Sequence, residues 1–302
     1  MTASSEMTQA RWRAAAVVQL IDLIGHRPIL ILAPHADDET IGCGGLICQA
    51  VRAGIPVSID ILTDGSRSHT GSMEYDSTRL AALRQRETTA AAARLGVEAG
   101  AIHFWGEEDS RLEADGERAE TLVAALRRRI VETGAGAVFV TWVDDPHCDH
   151  RAAFSLAVQS VSGLRDPPRL YGYPVWSWTI ETAPSLYEGI IGRLDIGAQL
   201  DTKRDALACH ASQLGLVITD DPDGFSLSAS DLALFLQPFE TFIAVKDPAR
   251  MIEHRVAIEQ ECERGRRTQA KLSRRPVHAG GALVAVVLEA AAEARRPSDR
   301  VV

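Results

Sequence analysis

The sequence lacks an excess of basic residues, a long uninterrupted hydrophobic run and any paired cysteine motif, and each absence excludes a class of protein. The formal charge of −9, from 32 basic and 41 acidic residues, argues against binding along the whole chain to nucleic acid or to an anionic membrane. Gln19 and Asp22 interrupt the apolar segment 14–25, so we interpret it as part of an amphipathic helix over about residues 9–26. Such a segment is expected to be neither a signal peptide nor a membrane span.

The cysteines do not form the pattern of a disulfide framework. Five are present, an odd number without a CxxC pair: Cys43, Cys48, Cys148, Cys209 and Cys262. Because disulfides persist mainly in oxidising compartments, this usage predicts reduced thiols in a cytoplasmic protein.

The length and composition predict a globular protein with a full hydrophobic core. Of the 302 residues, 46% are hydrophobic and 24% are charged, and we find no internal repeat. We expect one domain over residues 1–250 and a helical extension over 251–302. The extension contains the basic stretch 264–275, which suits either a solvated helix face or contact with an acidic neighbour in a homo-oligomer.

Strands and helices alternate along the first half of the chain. β-branched runs that end in turn residues predict strands, and stretches with helical spacing separate them. The predicted strands are 28–34, 56–64, 101–105 and 137–143, with helices at 39–54, 76–95, 117–133 and from about 150 onward. Later strands are predicted within 168–178 and 239–245, and a helix near 199–212. The alternation is typical of an α/β fold with a mostly parallel sheet flanked by crossover helices.

Two polar loops follow predicted strands. PHADDE (34–39) comes directly after the first strand, and HCDH (147–150) comes shortly after the fourth. Open α/β sheets bind ligands in the crevice at the carboxyl ends of their strands. The position of both loops therefore indicates a functional site before their chemistry is considered.

The residue types in these loops favour a metal site. Zinc in hydrolytic enzymes is usually bound by imidazole and carboxylate groups, with one coordination position left for water. His35 and Asp38 are three residues apart at a strand-to-helix junction, where a turn can aim both side chains at one point. If the two strands are near neighbours, a histidine of HCDH completes a His–Asp–His site for Zn²⁺ or another divalent transition metal.

The two loops hold more titratable groups than three ligand positions require, and the surplus suits catalysis. The five groups are His35, Asp37, Asp38, His147 and His150. Asp37, beside the ligands, is the natural acceptor for the proton of an activated water. His147, in its charged form, is expected to stabilise an oxyanion or to protonate the leaving amine. Asp149 is expected to orient either His147 or a ligand.

Simpler interpretations apply to each loop alone. Asp38 and Glu39 suit a helix N-terminus, where an acid stabilises the helix by about 0.3–1 kcal/mol. The glycines of IGCGG (41–45) raise the alternative of a phosphate-binding turn in a nucleotide- or cofactor-binding module. They do not match GxGxxG and lie inside the predicted helix, where close packing of helix against sheet is the favoured use.

The pairing of PHADDE with HCDH resembles the PIG-L/LmbE-like zinc de-N-acetylases, which are Rossmann-like. Other landmarks are similar in order over about residues 30–245: LTDGS (62–66), RQRETTAAAARLGV (84–97), FWGEEDSRL (104–112) and KRDALACHASQ (203–213). The resemblance implies His35, Asp38 and His150 as zinc ligands, Asp37 as general base and His147 as its electrophilic or acidic partner. It further implies that Arg84 and Asp109 contact a substrate sugar, and it makes His210 a candidate for the same cleft.

Two departures from the family pattern stand beside these similarities. Ala36 replaces the usual proline of the first loop, and two acids precede Asp109. Arg84 with Glu87 also has the spacing of a helical surface ion pair.

We therefore predict a zinc-dependent hydrolase that removes an N-acetyl group from an N-acetylglucosamine-type amino sugar or its conjugate. An amidase for a larger thiol- or metabolite-conjugated amide is the alternative with the same metal chemistry. The expected partner is this small-molecule substrate, with no nucleic acid and no membrane span.

Overall fold

A computed structural model describes residues 3–179 and 189–248 of the chain. The predicted extension over 251–302, with its basic stretch, lies outside the described residues.

The described chain forms a single sheet with helices on both faces. Its strands are β1 Ala16–Val18, β2 Ile29–Ala33, β3 Val57–Thr63, β4 Ile102–Glu107, β5 Ala137–Thr141, β6 Arg169–Tyr173, β7 Ile190–Asp195 and β8 Phe239–Ala244. The α-helices are α1 Ala3–Arg13, α2 Leu20–Ile24, α3 Asp38–Arg52, α4 Ser77–Leu95, α5 Gly116–Thr133, α6 Cys148–Ser162, α7 Leu200–Leu207 and α8 Ala229–Phe235. Short 3₁₀ turns lie at Ala99–Ala101, Trp176–Trp178, Gly197–Gln199 and Ala211–Leu214.

The sheet is mostly parallel, as predicted. Its strand order is β1-β7-β8-β6-β5-β2-β3-β4, and only β8 runs antiparallel to its neighbours. From β2 the chain builds β3 and β4 on one side, then crosses to place β5 on the other side of β2. This reversal leaves a crevice at the carboxyl ends of β2 and β5, where ligands bind in folds of this type.

Both faces of the central strands are buried, which explains their continuous apolar runs. In β2, Ile29 and Ile31 pack into the core beneath α3, whereas Leu30 and Leu32 pack into the core beneath α5 and α6. All five residues of β2 are buried. The two loops that follow β2 and β5 therefore leave fully buried strands at the centre of the sheet.

The predicted helix over 9–26 is wrong. Helix α1 ends at Arg13, Ala16–Val18 form an edge strand, and α2 is a short separate helix. The edge of β7 offers unpaired backbone groups, and the β-branched Val17 and Val18 suit the strand that pairs with it. Tertiary pairing thus overrides the helical periodicity.

The strand predicted within 168–178 ends early, at Tyr173. The backbone N–H groups of Val175 and Trp176 donate to Asp145 Oδ2 at 3.0 and 2.8 Å, which turns the chain out of the sheet. Trp176 and Trp178 consequently lie in a 3₁₀ turn, and Trp178 packs edge-on against Trp12 with ring centroids 4.9 Å apart.

The glycines of IGCGG lie within α3 and permit close packing, as expected. A Cβ on Gly42 would lie 2.1 Å from Tyr173 Cδ2, and one on Gly45 would lie 2.3 Å from Ile196 Cγ2. Real Cβ atoms do not approach other heavy atoms this closely. These glycines therefore set the distance of α3 from its neighbours and do not form a phosphate-binding turn.

The structure also bears on the state of the cysteines and on the apolarity of the helices. The four described cysteines, Cys43, Cys48, Cys148 and Cys209, are free thiols. Among the described residues, no helix combines the length and apolarity that a bilayer crossing requires.

Gly42→Ala is expected to destabilise the protein. Alanine improves helix propensity by about 0.5–1 kcal/mol, but the contact with the buried Tyr173 ring is of the overpacking kind, which costs about 1–3 kcal/mol. The cost of overpacking exceeds the gain in helix propensity, so the free energy of unfolding, measured in urea, should fall. Gly100→Ala is the matched control, because nothing lies within 4 Å of its added Cβ; equal stability of the two variants would contradict the packing argument.

Candidate functional site

The two polar loops meet at the carboxyl ends of β2 and β5, which are adjacent strands paired from Ile29↔Ala137 to Leu32↔Val140. His35 lies in the loop after β2, and Asp38 begins α3. His147 caps α6, and His150 lies in its first turn. The rings of His35 and His150 are 5.2 Å apart, centroid to centroid. The predicted proximity of the two loops is confirmed.

Three donor atoms converge between the loops. His35 Nδ1 lies 3.2 Å from His150 Nε2 and 3.2 Å from Asp38 Oδ2. His150 Nε2 lies 3.1 Å from the same carboxylate oxygen. Ligands on one face of a tetrahedral zinc site, with bonds of about 2.0 Å, lie about 3.3 Å apart. The triangle therefore fits a divalent ion without rearrangement of the chain.

Asp149 and Asp109 hold the other side of the His35 ring. His35 Nε2 lies 3.1 Å from Asp149 Oδ2 and 3.4 Å from Asp109 Oδ1. A proton on Nε2 facing these acids leaves the Nδ1 lone pair free for a metal. Of the two expected roles for Asp149, orientation of a ligand is the one that this geometry matches.

Asp145 faces the far side of the His150 ring as an ion-pair partner, a role that the sequence did not predict. His150 Nδ1 lies 3.2 Å from Asp145 Oδ1, and Asp145 is fully buried. The other oxygen of Asp145 accepts the Val175 and Trp176 N–H groups, so this acid also fixes the turn after β6. The only signal in the sequence was the acidic pair just before HCDH, whose partners are distant along the chain.

The two histidines are basic because acids surround them. Burial lowers the pKa of His150, but Asp38 and Asp145 raise it further, to about 9. Burial also lowers the pKa of His35, and hydrogen bonds to Asp109, Asp149 and Asp38 raise it well above its ordinary value. For Asp38, burial raises the pKa, yet His150 and His35 hold it well below its usual range. The cluster thus holds positive charge at the point where the donor atoms meet.

Asp37 combines an unusual backbone with a pKa suited to proton transfer. Its φ of 141° is a conformation that non-glycine residues rarely adopt. The Asp37 N–H donates to Glu39 Oε2 at 3.0 Å, and Arg84 Nη2 lies 3.4 Å from Asp37 Oδ2. Burial raises the pKa of Asp37 to about 6 against the opposing charge of Arg84.

The lowered pKa of His147 favours a neutral ring and argues against the charged imidazole that the sequence predicted. Burial and the charge of the neighbouring His35 together lower the pKa of His147 to about 3, and Asp149 opposes them only in part. His147 Nδ1 accepts the Asp149 N–H at 3.1 Å as the cap of α6. In the neutral ring the proton then lies on Nε2, which makes His147 a hydrogen-bond donor.

The predicted sugar-contacting residues lie beside the cluster, with little exposed surface. Arg84 is 3% exposed and Asp109 is 4% exposed. Arg84 donates to the Ala36 carbonyl, and Glu87 binds Ser212 through both of its oxygens. The alternative of a surface ion pair between Arg84 and Glu87 is therefore wrong. A substrate contact by Arg84 or Asp109 stays a prediction.

His210 lies beneath the first loop. Its ring has no exposed surface, and its Nε2 lies 3.3 Å from Glu39 Oε1 and 3.3 Å from Thr40 Oγ1. Glu39 in turn accepts the Asp37 N–H. In this structure His210 supports the loop from below, and its predicted place in the substrate cleft stays untested.

Other groups near this point also bring possible ligand atoms together. Within the described residues, His35, His147 and His150 have ring nitrogens within 4.8 Å of one another, as do His35, Asp109 and Asp149 with their ring and carboxylate atoms. The backbone bond to His147 Nδ1 and the orienting role of Asp109 and Asp149 favour His35, Asp38 and His150 as the ligand set.

A separate cavity of ≈ 400 Å³ opens beyond β6. Its walls come from α1, α3, α7, β7, β8 and the segment between α8 and β8, and they include Ile41, Lys203 and Glu240. None of the residues of the histidine–aspartate cluster lines it. The cavity is therefore distinct from the candidate metal site.

Comparisons with known proteins agree with this site. Residues 30–161, which carry both loops, match the protein family described as PIG-L: GlcNAc-PI de-N-acetylase. A diacetylchitobiose deacetylase from Thermococcus kodakarensis is 33% identical over 137 residues, 45% of this chain and 49% of that protein. The chain thus spans about half the length of this relative.

A second relative matches over more of its length. The 1D-myo-inositol 2-acetamido-2-deoxy-alpha-D-glucopyranoside deacetylase of Mycobacterium sp. (strain JLS) is 27% identical over 263 residues, with 72% of this chain and 83% of that protein covered. Among solved structures, the N,N'-diacetylchitobiose deacetylase from Pyrococcus horikoshii has a TM-score of 0.52 at 22% identity, covering 81% of this chain and 94% of that chain. This likeness shows the shared α/β fold.

Metal uptake is expected to release protons and to weaken as the pH falls. The surrounding acids raise the pKa values of both His35 and His150 in the metal-free protein, so an ion that binds there must displace protons from this pair of rings. Affinity should fall as the pH drops below about 9, the pKa of His150.

Calorimetric titration of the metal-free protein with Zn²⁺, in two buffers of different ionisation enthalpy, measures the protons released. His26→Ala, at an exposed histidine ahead of β2, should release as many as the wild type. Uptake without any proton release would contradict the proposed ligand set.

Proposed function

We propose that this protein is a zinc-dependent hydrolase that removes an N-acetyl group from an N-acetylglucosamine-type amino sugar or its conjugate. The match of residues 30–161 to the PIG-L family supports this proposal. Two relatives are named as deacetylases of diacetylchitobiose and of an inositol-linked 2-acetamido sugar. Both substrates contain the same acetamido group on a glucose ring.

The observation that carries this proposal is the triangle of His35 Nδ1, Asp38 Oδ2 and His150 Nε2, with edges of 3.1–3.2 Å. Two imidazoles and one carboxylate form a ligand set that suits Zn²⁺ and leaves a position open for reactants. The same set also accommodates other divalent transition metals. When bound, the ion lowers the pKa of a water molecule toward neutrality and polarises an amide carbonyl.

The chain supplies the base for this hydrolysis. Asp37 precedes a ligand, and its pKa of about 6 leaves it ionised at neutral pH yet basic enough to accept a proton. Its strained backbone is held by Glu39 below and by Arg84 alongside. Asp37 takes the proton of the attacking water and then delivers it to the departing amine nitrogen.

His147 and the neighbouring charged residues complete the site. With its Nδ1 occupied by the Asp149 N–H, His147 presents Nε2–H to the oxyanion that develops on the amide carbonyl. A neutral donor suits this role, because it stays protonated through the reaction. We expect Arg84 and Asp109, which lie beside the cluster, to contact sugar hydroxyls.

Asp37→Asn is expected to retain zinc and lose about 10²–10⁴-fold in kcat, the range for removal of a general base. Since the base must be ionised, wild-type kcat should fall as the pH drops below about 6, the pKa of Asp37. His35→Ala should lose zinc and activity together, and Asp166→Asn on the surface should change neither.

The assay measures acetate and free amine released from N-acetylglucosamine, diacetylchitobiose and larger conjugates, alongside elemental analysis of each variant. Full turnover by metal-loaded Asp37→Asn would refute the role of Asp37. Release of a free amine without acetate would shift the assignment to an amidase for larger acyl groups.

A further inference from the structure

A buried ion pair packs against α3, the helix that begins in the proposed metal-binding turn. Lys203 Nζ, from α7, lies 2.8 Å from Glu240 Oε1, from β8, and each side chain is 2% exposed. Both residues lie far along the chain from His35 and Asp38, and neither is part of the cluster described above. Buried ion pairs contribute little to stability, because desolvation offsets their attraction. Stability alone therefore does not account for this pair.

Both members of the pair form hydrogen bonds with backbone groups of α3. Glu240 accepts the N–H groups of Gly45 and Leu46 at 2.7 and 2.8 Å. Lys203 donates to the carbonyl of Ile41 at 2.7 Å, which is the carbonyl that the Gly45 N–H reaches in a regular helix. Two charges thus contact the backbone groups that join the first turn of α3 to the rest of the helix.

The glycines of IGCGG leave room for these contacts. A Cβ on Gly44 would lie 3.0 Å from Lys203 Cγ, so a side chain at this position would push the lysine stem away by a few tenths of an ångström. Gly45 approaches Ile196 still more closely. The glycine run that suggested a phosphate loop is the place where α7 and the end of β7 press against α3.

The turn held in this way bears the metal-binding acid. Ile41 lies one helical turn after Asp38, whose carboxylate forms the triangle with His35 and His150. The segment after α7 holds the same turn from its other end, since His210 Nε2 faces Glu39 Oε1 at 3.3 Å. Lys203 and His210 therefore contact the first turn of α3 at two points, the Ile41 carbonyl and the Glu39 carboxylate.

We propose that Lys203 and Glu240 are positioning residues, which fix the first turn of α3 so that Asp38 meets His35 and His150 at one metal ion. The inference rests on the proposed metal centre. The pair acts through the backbone of Ile41, Gly45 and Leu46 and touches neither ion nor substrate. Its loss should loosen the ligand triangle even where the fold survives.

The test uses the full chain loaded with Co²⁺, whose visible d–d absorption reports ligand geometry independently of turnover. The neutral pair Lys203→Met with Glu240→Gln removes both charges at once, so no unpaired charge is left buried. We expect it to bind Co²⁺ about tenfold or more weakly in chelator competition, the lower range for loss of an outer partner of a metal ligand, with an altered absorption spectrum. Glu240→Gln alone is the second variant and should change both quantities in the same direction.

The matched control is Arg129→Met with Asp60→Asn. This pair is also largely buried, with Arg129 Nη2 2.8 Å from Asp60 Oδ1, but it joins α5 to β3 away from the first turn of α3. Its removal should lower thermal stability and leave Co²⁺ affinity and absorption unchanged.

The outcomes separate the two proposals. If a folded neutral pair, or folded Glu240→Gln, binds Co²⁺ within twofold of the wild type with the same absorption, the positioning role is overturned and the metal centre stands. The proposed metal centre fails if the wild type shows no Co²⁺ absorption, or if His35→Ala shows the same absorption as the wild type. The positioning role then fails with it.

Discussion

The structure of this site depends on the attraction between positive charge and several acidic groups that would otherwise repel each other. Asp37, Asp38 and Glu39 follow one another where the loop after β2 enters α3, and all three are almost fully buried. Burial raises the pKa of an isolated acid, and Asp38 escapes this effect only because His35 and His150 face it. In the metal-free chain the protons of the two imidazoles supply the positive charge. A divalent ion at the same point would supply it more strongly, and the measured triangle has the dimensions for one.

The sheet makes this arrangement possible. Because β2 and β5 are adjacent and parallel, the loops after them leave the same edge at the same height. Each histidine of the proposed ligand set then faces a buried carboxylate on its other side, Asp149 for His35 and Asp145 for His150. Asp145 also binds the backbone of the turn after β6, so the orientation of a ligand is tied to the neighbouring strand. Metal chemistry and sheet packing are thus parts of one network.

The sequence predicted the central strands and the meeting of the two loops, because both depend on local signals. Apolar runs mark the strands, residue type and spacing mark His35 and Asp38, and the family resemblance is what singles out His150 over His147. The sequence did not predict Asp145, whose role depends on partners in another loop and after another strand. The predicted elements were wrong where contacts with distant segments decide the local structure. Ala16–Val18 pair with β7 and so form a strand, and the strand that ends at Tyr173 stops there because Asp145 accepts the Val175 N–H. The neutrality of His147 likewise follows from its buried neighbours and from no feature of HCDH alone.

The most direct measurement of the central claim is the anomalous diffraction of zinc in crystals of the zinc-loaded full chain. We predict one strong peak between the two loops, within about 2.0–2.2 Å of His35 Nδ1, His150 Nε2 and an oxygen of Asp38. A peak bound instead by His35 Nε2 with Asp109 and Asp149, or no peak between the loops at full zinc loading, would contradict the account.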